Sequence, residues 1–224
     1  THKPLIGSPL INHVGGPQGV VADQRGVARP IAVEYDVGSV EFKHDFLVTG
    51  FTVNNGDIQR ARLTTITLNL STPVPAALFS EPGAVTLTRT HVASSGGTIG
   101  TVVDISNGLI VSSAGGNVTS ITLTFSNTLI SGAVEWGSLA DGRWQLAVPM
   151  AAFMSASGDT QLRRLYGDIN NDGTVDGPND FAAFGGVFGT SPGVGVSPFD
   201  WNNDGVIDGT FDFAEFGARF GITL

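Results

Sequence analysis

Thr65-Ile66-Thr67-Leu68-Asn69-Leu70 alternates strictly between polar and apolar residues, and so does Ile121-Thr122-Leu123-Thr124-Phe125. In an extended strand every second side chain lies on the same face. The Ile, Leu and Phe set therefore faces a core and the threonine set faces outward. Val85 and Leu87 repeat the pattern, as do Leu146, Val148 and Met150. Turn-forming residues separate the runs: Asn54-Asn55-Gly56, Glu81-Pro82-Gly83, Gly96-Gly97, Asn107-Gly108, Gly115-Gly116-Asn117 and Asp141-Gly142. About seven to nine short strands over 47–165 at this spacing predict a mainly β fold, a two-sheet β-sandwich.

Composition agrees. The 224 residues include 31 glycines and 11 prolines without a collagen period, which suits many turns rather than long helices. At 41% apolar residues and a mean hydropathy of +0.17, the chain can build one core and a small appendix. No apolar run is long enough to predict a transmembrane segment. Residues 1–46 are broken by Pro4, Pro9, Pro17, Pro30 and Gly15-Gly16. They read as an irregular lead-in in which 31–35 and 40–42 are each expected as a short strand. The chain begins at Thr1 without a signal-like apolar run, so a processed or excised form is expected. With no cysteine there is no disulfide, thiol nucleophile or thiolate metal site.

Charge divides the chain. Residues 1–165 carry eleven acids and ten bases, whereas 166–224 carry nine acids and one base, Arg219. Almost all of the net charge of −9 thus lies in the last quarter. The absence of a basic stripe excludes a nucleic-acid partner. Acids crowded together need water, disorder or bound cations. Here they alternate with phenylalanine and glycine, which argues against disorder and makes bound cations the expectation.

The crowding is a repeat. Residues 168–189 and 200–221 align at an offset of thirty-two with fourteen of twenty-two positions identical. A hard cation such as calcium takes about six to eight oxygens at roughly 2.3–2.6 Å from a short wrapped loop. Loop positions 1, 3 and 5 supply Asp168, Asn170 and Asp172 in the first copy, and Asp200, Asn202 and Asp204 in the second. Position 6 is Gly173 or Gly205, which permits a sharp turn. Position 7, Thr174 or Val206, gives a backbone carbonyl, so its side chain is free to differ. Position 8 is β-branched, Val175 or Ile207, and is expected to let the two loops exchange short-strand hydrogen bonds. Position 9 is Asp176 or Asp208. The closing acid falls at position 13 rather than 12, as Asp180 and Asp212, with helix N-capping as the alternative role. Two Ca2+ sites are expected, with folding of 166–224 coupled to them.

After each loop Phe181, Phe184 and Phe188 recur as Phe213, Phe216 and Phe220. The spacing i, i+3, i+7 predicts one apolar face of a short helix, ended by Gly189 or Gly221. A loop with one exiting helix, duplicated, resembles the dockerin-type calcium module. The resemblance covers 167–221 and departs from it in the inserted residue and in having phenylalanine where receptor-recognition residues are expected. Residues 53–68 (Val53 to Leu68) and 137–146 (Gly137 to Leu146) resemble an immunoglobulin-like module of large exported proteins of planctomycete-type bacteria, which often precedes such a calcium pair. That resemblance implies an Ig-like β-sandwich over 47–165, a dockerin-like module over 166–224, extracellular or cell-surface residence, and no catalysis.

Other groups carry less. His2, His13, His44 and His91 are scattered without metal-ligand spacing. Glu135 and Asp141 form at most a carboxylate pair in a turn-rich region, and Trp136 and Trp144 read either as sandwich aromatics or as a sugar-stacking platform. Arg163-Arg164 is expected to face the acidic module, and Thr190–Pro198 to link the repeats. The sequence predicts a non-catalytic calcium-binding structural protein with other protein subunits as partners. Those subunits would be further copies joined by strand addition through 1–46; alternatively, the chain is a docking or carbohydrate-binding module of a larger assembly.

Overall fold

The computed structural model describes residues 46–80, 84–92, 102–104, 116–125, 133–148, 152–153 and 161–224, together with 10, 19, 21–26, 29 and 36–38. Both strands expected before residue 46 lie outside these residues, as do the turns expected at 81–83, 96–97 and 107–108.

The alternating runs at 65–70 and 121–124 are strands with the expected faces, while Met150 of the run at 146–150 lies outside the described residues. β1 (Leu47–Val53), β2 (Thr65–Pro75) and β5 (Asn117–Thr124) pair antiparallel, with Ile66 opposite Leu123 and Leu68 opposite Ile121. Ile66, Leu68, Ile121 and Leu123 are all buried. On the other face the Thr67 and Thr122 hydroxyls meet at 3.0 Å. β9 (Ala152–Phe153) adds to β1 in parallel, giving the order β5-β2-β1-β9. A second sheet runs β10-β8-β3-β4, all antiparallel, from β3 (Thr86–His91), β4 (Val102–Asp104), β8 (Gly142–Ala147) and β10 (Gln161–Arg164). A two-stranded hairpin, β6 (Val134–Glu135) with β7 (Ser138–Leu139), completes the set. The fold is thus mainly β, with mostly antiparallel sheets and few helices. Ten strands stand among the described residues rather than seven to nine, because β6, β7 and β9 are two-residue pieces too short to show a period.

One hydrophobic cluster takes Val48, Ile66, Leu68 and Leu123 from the first sheet and Leu87, Trp144, Leu146 and Leu162 from the second. β10 leaves this body at Arg164, and a separate cluster begins at once: Leu165, Tyr166, Val175, Phe184, Phe199, Ile207 and Phe216. Its helices are α1 (Ala182–Val187) and α2 (Asp212–Arg219). No helix lies between β10 and the first acidic loop. The expected phenylalanine face is only buried at its centre. Phe184 and Phe216 are 1% exposed with ring centroids 4.8 Å apart, while Phe181, Phe188, Phe213 and Phe220 are each about half exposed along the seam. Helices of two turns bury too little perimeter to cover every member of an i, i+3, i+7 set. Among the described residues no helix is long and apolar enough to cross a membrane.

Candidate metal centre

Each acidic loop is wound by its own side chains onto its own amides. In the first, Asp168 Oδ2 accepts from the Gly173 amide at 3.1 Å, Asn170 Oδ1 from the Asp172 amide at 3.2 Å, and Asp172 Oδ1 from the Thr174 amide at 2.8 Å. In the second, Asp200 Oδ2 accepts from Gly205 N at 2.8 Å, Asn202 Oδ1 from Asp204 N at 3.4 Å, and Asp204 Oδ1 from Val206 N at 2.9 Å. In both loops the position 3 amide group also donates to the position 5 carboxylate at 2.8 Å. Two positions in each loop take left-handed backbone: Asn171 and Asn203 (φ 62° and 59°), then Gly173 and Gly205 (φ 90° and 91°). Asparagine tolerates that region and glycine enters it without strain.

The acid at position 13 closes the loop. Asp180 accepts from Ile169 N at 3.0 Å and Asp176 N at 2.8 Å, and Asp212 from Trp201 N and Asp208 N, both at 2.7 Å. Each carboxylate therefore straps loop position 2 to position 9. In the first copy N-capping falls instead to position 9, where Asp176 accepts from Asn179 N at 3.0 Å; in the second, Asp208 accepts from the amide of Phe211, the residue that opens α2, at 3.0 Å. The capping alternative for Asp180 and Asp212 is thus corrected. The inserted residue also finds its place. Phe181 N donates to Asp176 O at 2.9 Å and Phe213 N to Asp208 O at 3.0 Å, five residues back in each case. A single π-type turn absorbs the extra residue in both copies.

The expected pairing of the two loops at position 8 is a second correction. Val175 N donates to Ile222 O and Gly221 N to Val175 O, whereas Ile207 N donates to Thr190 O and Gly189 N to Ile207 O. Each loop pairs with the segment that follows the other copy's helix. Part of the expected linker, at Thr190 and Gly193, is therefore bonded to the second loop.

Burial and repulsion raise the carboxylates. Asp168, Asp180, Asp200 and Asp212 are at most 1% exposed. Desolvation pushes all four upward, and neighbouring carboxylates add to it: Asp180 on Asp168, Asp176 and Asp172 on Asp180, Asp204 on Asp200, and Asp200 and Asp208 on Asp212. Asp168 Oδ1 is buried without a hydrogen-bond partner. An orphaned carboxylate oxygen is costly unless a cation meets it. The donor set, all carboxylate, amide and carbonyl oxygen, fits a hard divalent ion rather than a soft one. Among the described residues no three His, Asp or Glu side chains are grouped as a ready-made metal cage. The side-chain oxygens of each loop lie instead on its amides.

The candidate side chains outside the loops are engaged with one another and with the β-body. Glu135 and Asp141 both accept from Arg164 Nη1, at 3.0 and 2.7 Å, and so form ion pairs rather than an acid–base couple. Trp144 is fully buried beneath Arg89, and Trp136 packs edge-on against Trp201, so the two tryptophans share no sugar platform. Of the arginine pair, Arg163 faces the first loop and Arg164 faces the β-body. Sequence reasoning missed Arg60 and Arg62, which reach the loops from the segment before β2; the repeated asparagine at position 4 was the one available pointer. Comparison with family models, with curated proteins and with solved structures gave no match.

Proposed function

We propose that residues 166–224 form a duplicated, dockerin-like calcium-binding module seated against an Ig-like β-sandwich, in a non-catalytic protein of the cell surface or extracellular space. The observation that carries the metal assignment is the orphaned Asp168 Oδ1 inside a loop whose ligand order recurs thirty-two residues later. Asp168, Asn170, Asp172, Asp176 and Asp180, with the Thr174 carbonyl, would hold one ion. Asp200, Asn202, Asp204, Asp208 and Asp212, with the Val206 carbonyl, would hold the other. Calcium supplies positive charge where several carboxylates otherwise repel, and so stiffens the tail. Millimolar external calcium is enough to saturate even weak loops.

Calorimetric titration of the metal-free chain tests this. Two bound calcium ions and a melting temperature at least several degrees lower in EDTA are expected; identical melting in calcium and EDTA would sink the assignment. A second reading, docking to a receptor, is favoured by the exposed phenylalanines. Phe181, Phe188 and Phe213 rim a cavity of about 280 Å³ floored by Phe184 and Gly185. Exposed aromatic patches of this kind mark contact surfaces. Light scattering in millimolar calcium separates this from self-assembly: polymers point to strand addition through 1–46, and a monomer points to an outside receptor.

A further inference from the structure

Both acidic loops are held from behind by the β-body, at the same two positions. In the first loop, the position 1 carbonyl, Asp168 O, accepts from Arg60 N at 2.8 Å, and Asn171 at position 4 accepts from Arg163 Nη2 through both its carbonyl and its Oδ1, at 2.6 Å each. In the second, Arg62 Nη1 reaches the position 1 carbonyl, Asp200 O, and Asn203 Oδ1 at position 4, the latter at 3.2 Å. Arg62 is 4% exposed and its other terminal nitrogen bonds Trp136 O. The strap is itself fixed, since Leu165 N donates to Arg60 O at 3.1 Å and Arg164 Nε to Ala61 O at 3.0 Å.

From this we infer that Arg62 and Arg163 are positioning residues of the two metal loops, so that the calcium affinity of each loop is set by the β-body. The inference rests on the calcium reading above. Asn171 and Asn203 sit in left-handed backbone between the ligands at positions 3 and 5, so fixing them fixes the spacing of those ligands. The grip is taken on groups outside the expected ligand set apart from one ion-pair approach, Arg163 Nη2 to Asp168 Oδ2 at 3.5 Å, and it leaves Asp168 Oδ1 open. A guanidinium this near a divalent ion also repels it, so the two effects oppose each other and the sign of a substitution decides between them. Groups that orient metal ligands from behind are worth about 10–100-fold in affinity.

The test is calcium titration of the full chain by calorimetry, with terbium luminescence sensitised by Trp201, at position 2 of the second loop, as a site-selective readout. Arg163→Met is expected to weaken one site about tenfold and leave the terbium signal of the second loop unchanged. Arg62→Met is expected to do the reverse. Arg219→Met serves as control, because Arg219 ties the module to Asp141 but bonds no loop residue; it is expected to lower the melting temperature and keep both affinities. Should an arginine variant fail to fold, Asn171→Gly and Asn203→Gly keep the left-handed backbone, remove the Oδ1 acceptor, and are expected to weaken their own site severalfold. Unchanged or tighter calcium binding in the Arg163 and Arg62 variants overturns the inference, as does an equal loss in the Arg219 control. If the unmodified chain binds no calcium, the calcium reading itself fails, which is a different outcome from a wild-type chain with two sites and insensitive variants.

Discussion

Gly173 and Gly205 occupy the same loop position with the same backbone, yet a methyl group would meet different neighbours. A Cβ on Gly205 would sit 2.9 Å from the Val194 amide nitrogen and 3.1 Å from the Gly193 carbonyl carbon. On Gly173 the nearest obstacle is the far end of the Arg163 side chain, and the closest backbone atom, the Leu224 carbonyl oxygen, stands farther off at 3.1 Å. Backbone cannot yield without breaking the Gly193–Gly205 hydrogen bond, whereas a guanidinium can swing aside. Both alanine variants bear the strain of positive φ, about 1 kcal/mol. Gly205→Ala is therefore expected to destabilise by at least about 2 kcal/mol more than that strain alone, and Gly173→Ala by less, in urea unfolding of the metal-free chain. On the proposed calcium reading, the Gly173 change is also expected to weaken binding at its own loop, since it displaces Arg163. Equal destabilisation by the two variants would refute the distinction.

Among the elements, α1 and α2 are too short to persist alone, since isolated helices below about 12–15 residues are marginal in water. Their stability comes from one buried ring each. Phe184 contacts Phe216 at 4.8 Å and Phe199 at 5.4 Å, and all three are buried. Phe184→Ala is expected to cost about 3–5 kcal/mol. Phe181→Ala, at a ring 47% exposed, is expected to cost about 1 kcal/mol or less. Chemical denaturation with circular dichroism distinguishes these, and similar losses would mean that the seam phenylalanines are buried in solution. Periodicity alone placed 181, 184 and 188 on one face without ranking them, because burial depends on what packs opposite. The strands at 65–70 and 121–125 were legible for the same reason that they are stable, since each face has a single chemistry. The loop residues were legible as a set through the repeat. The π-turn, the straps at Asp180 and Asp212 and the exchanged pairing at Val175 and Ile207 were not, because each depends on which acceptor a particular backbone amide finds, and the one-dimensional pattern does not encode that.

At the scale of the molecule, the β-body and the C-terminal module meet through buried charge as well as through the loops. Asp141 Oδ1 accepts from Arg164 Nη1 and Tyr166 N, both at 2.7 Å, and Oδ2 from Arg219 Nε at 2.6 Å. Arg164 is 1% exposed, and Arg219 also pairs with Glu215 one helical turn away. Burial alone would raise the Asp141 carboxyl, but the Arg164 and Arg219 guanidiniums outweigh it and hold the group below the usual carboxylate value of 3.8. The sign follows from linkage. A depressed folded-state pKa contributes stability that is complete above the unfolded value and disappears as pH falls through the folded one, below about pH 4. The four buried loop carboxylates act the other way in the metal-free chain. Their raised values make the folded state bind protons more readily, so they stabilise it as pH falls toward the unfolded value. Asp141→Asn removes one term and leaves the other. At pH 7 in EDTA the variant is expected to be less stable by about 3 kcal/mol, the cost of leaving buried guanidiniums without their shared anion. Between pH 5 and 3 the gap to the unmodified chain is expected to narrow steadily. Urea unfolding at each pH measures it, and a gap that stays constant or widens toward acid would show that Asp141 does not supply the charge that joins the two parts.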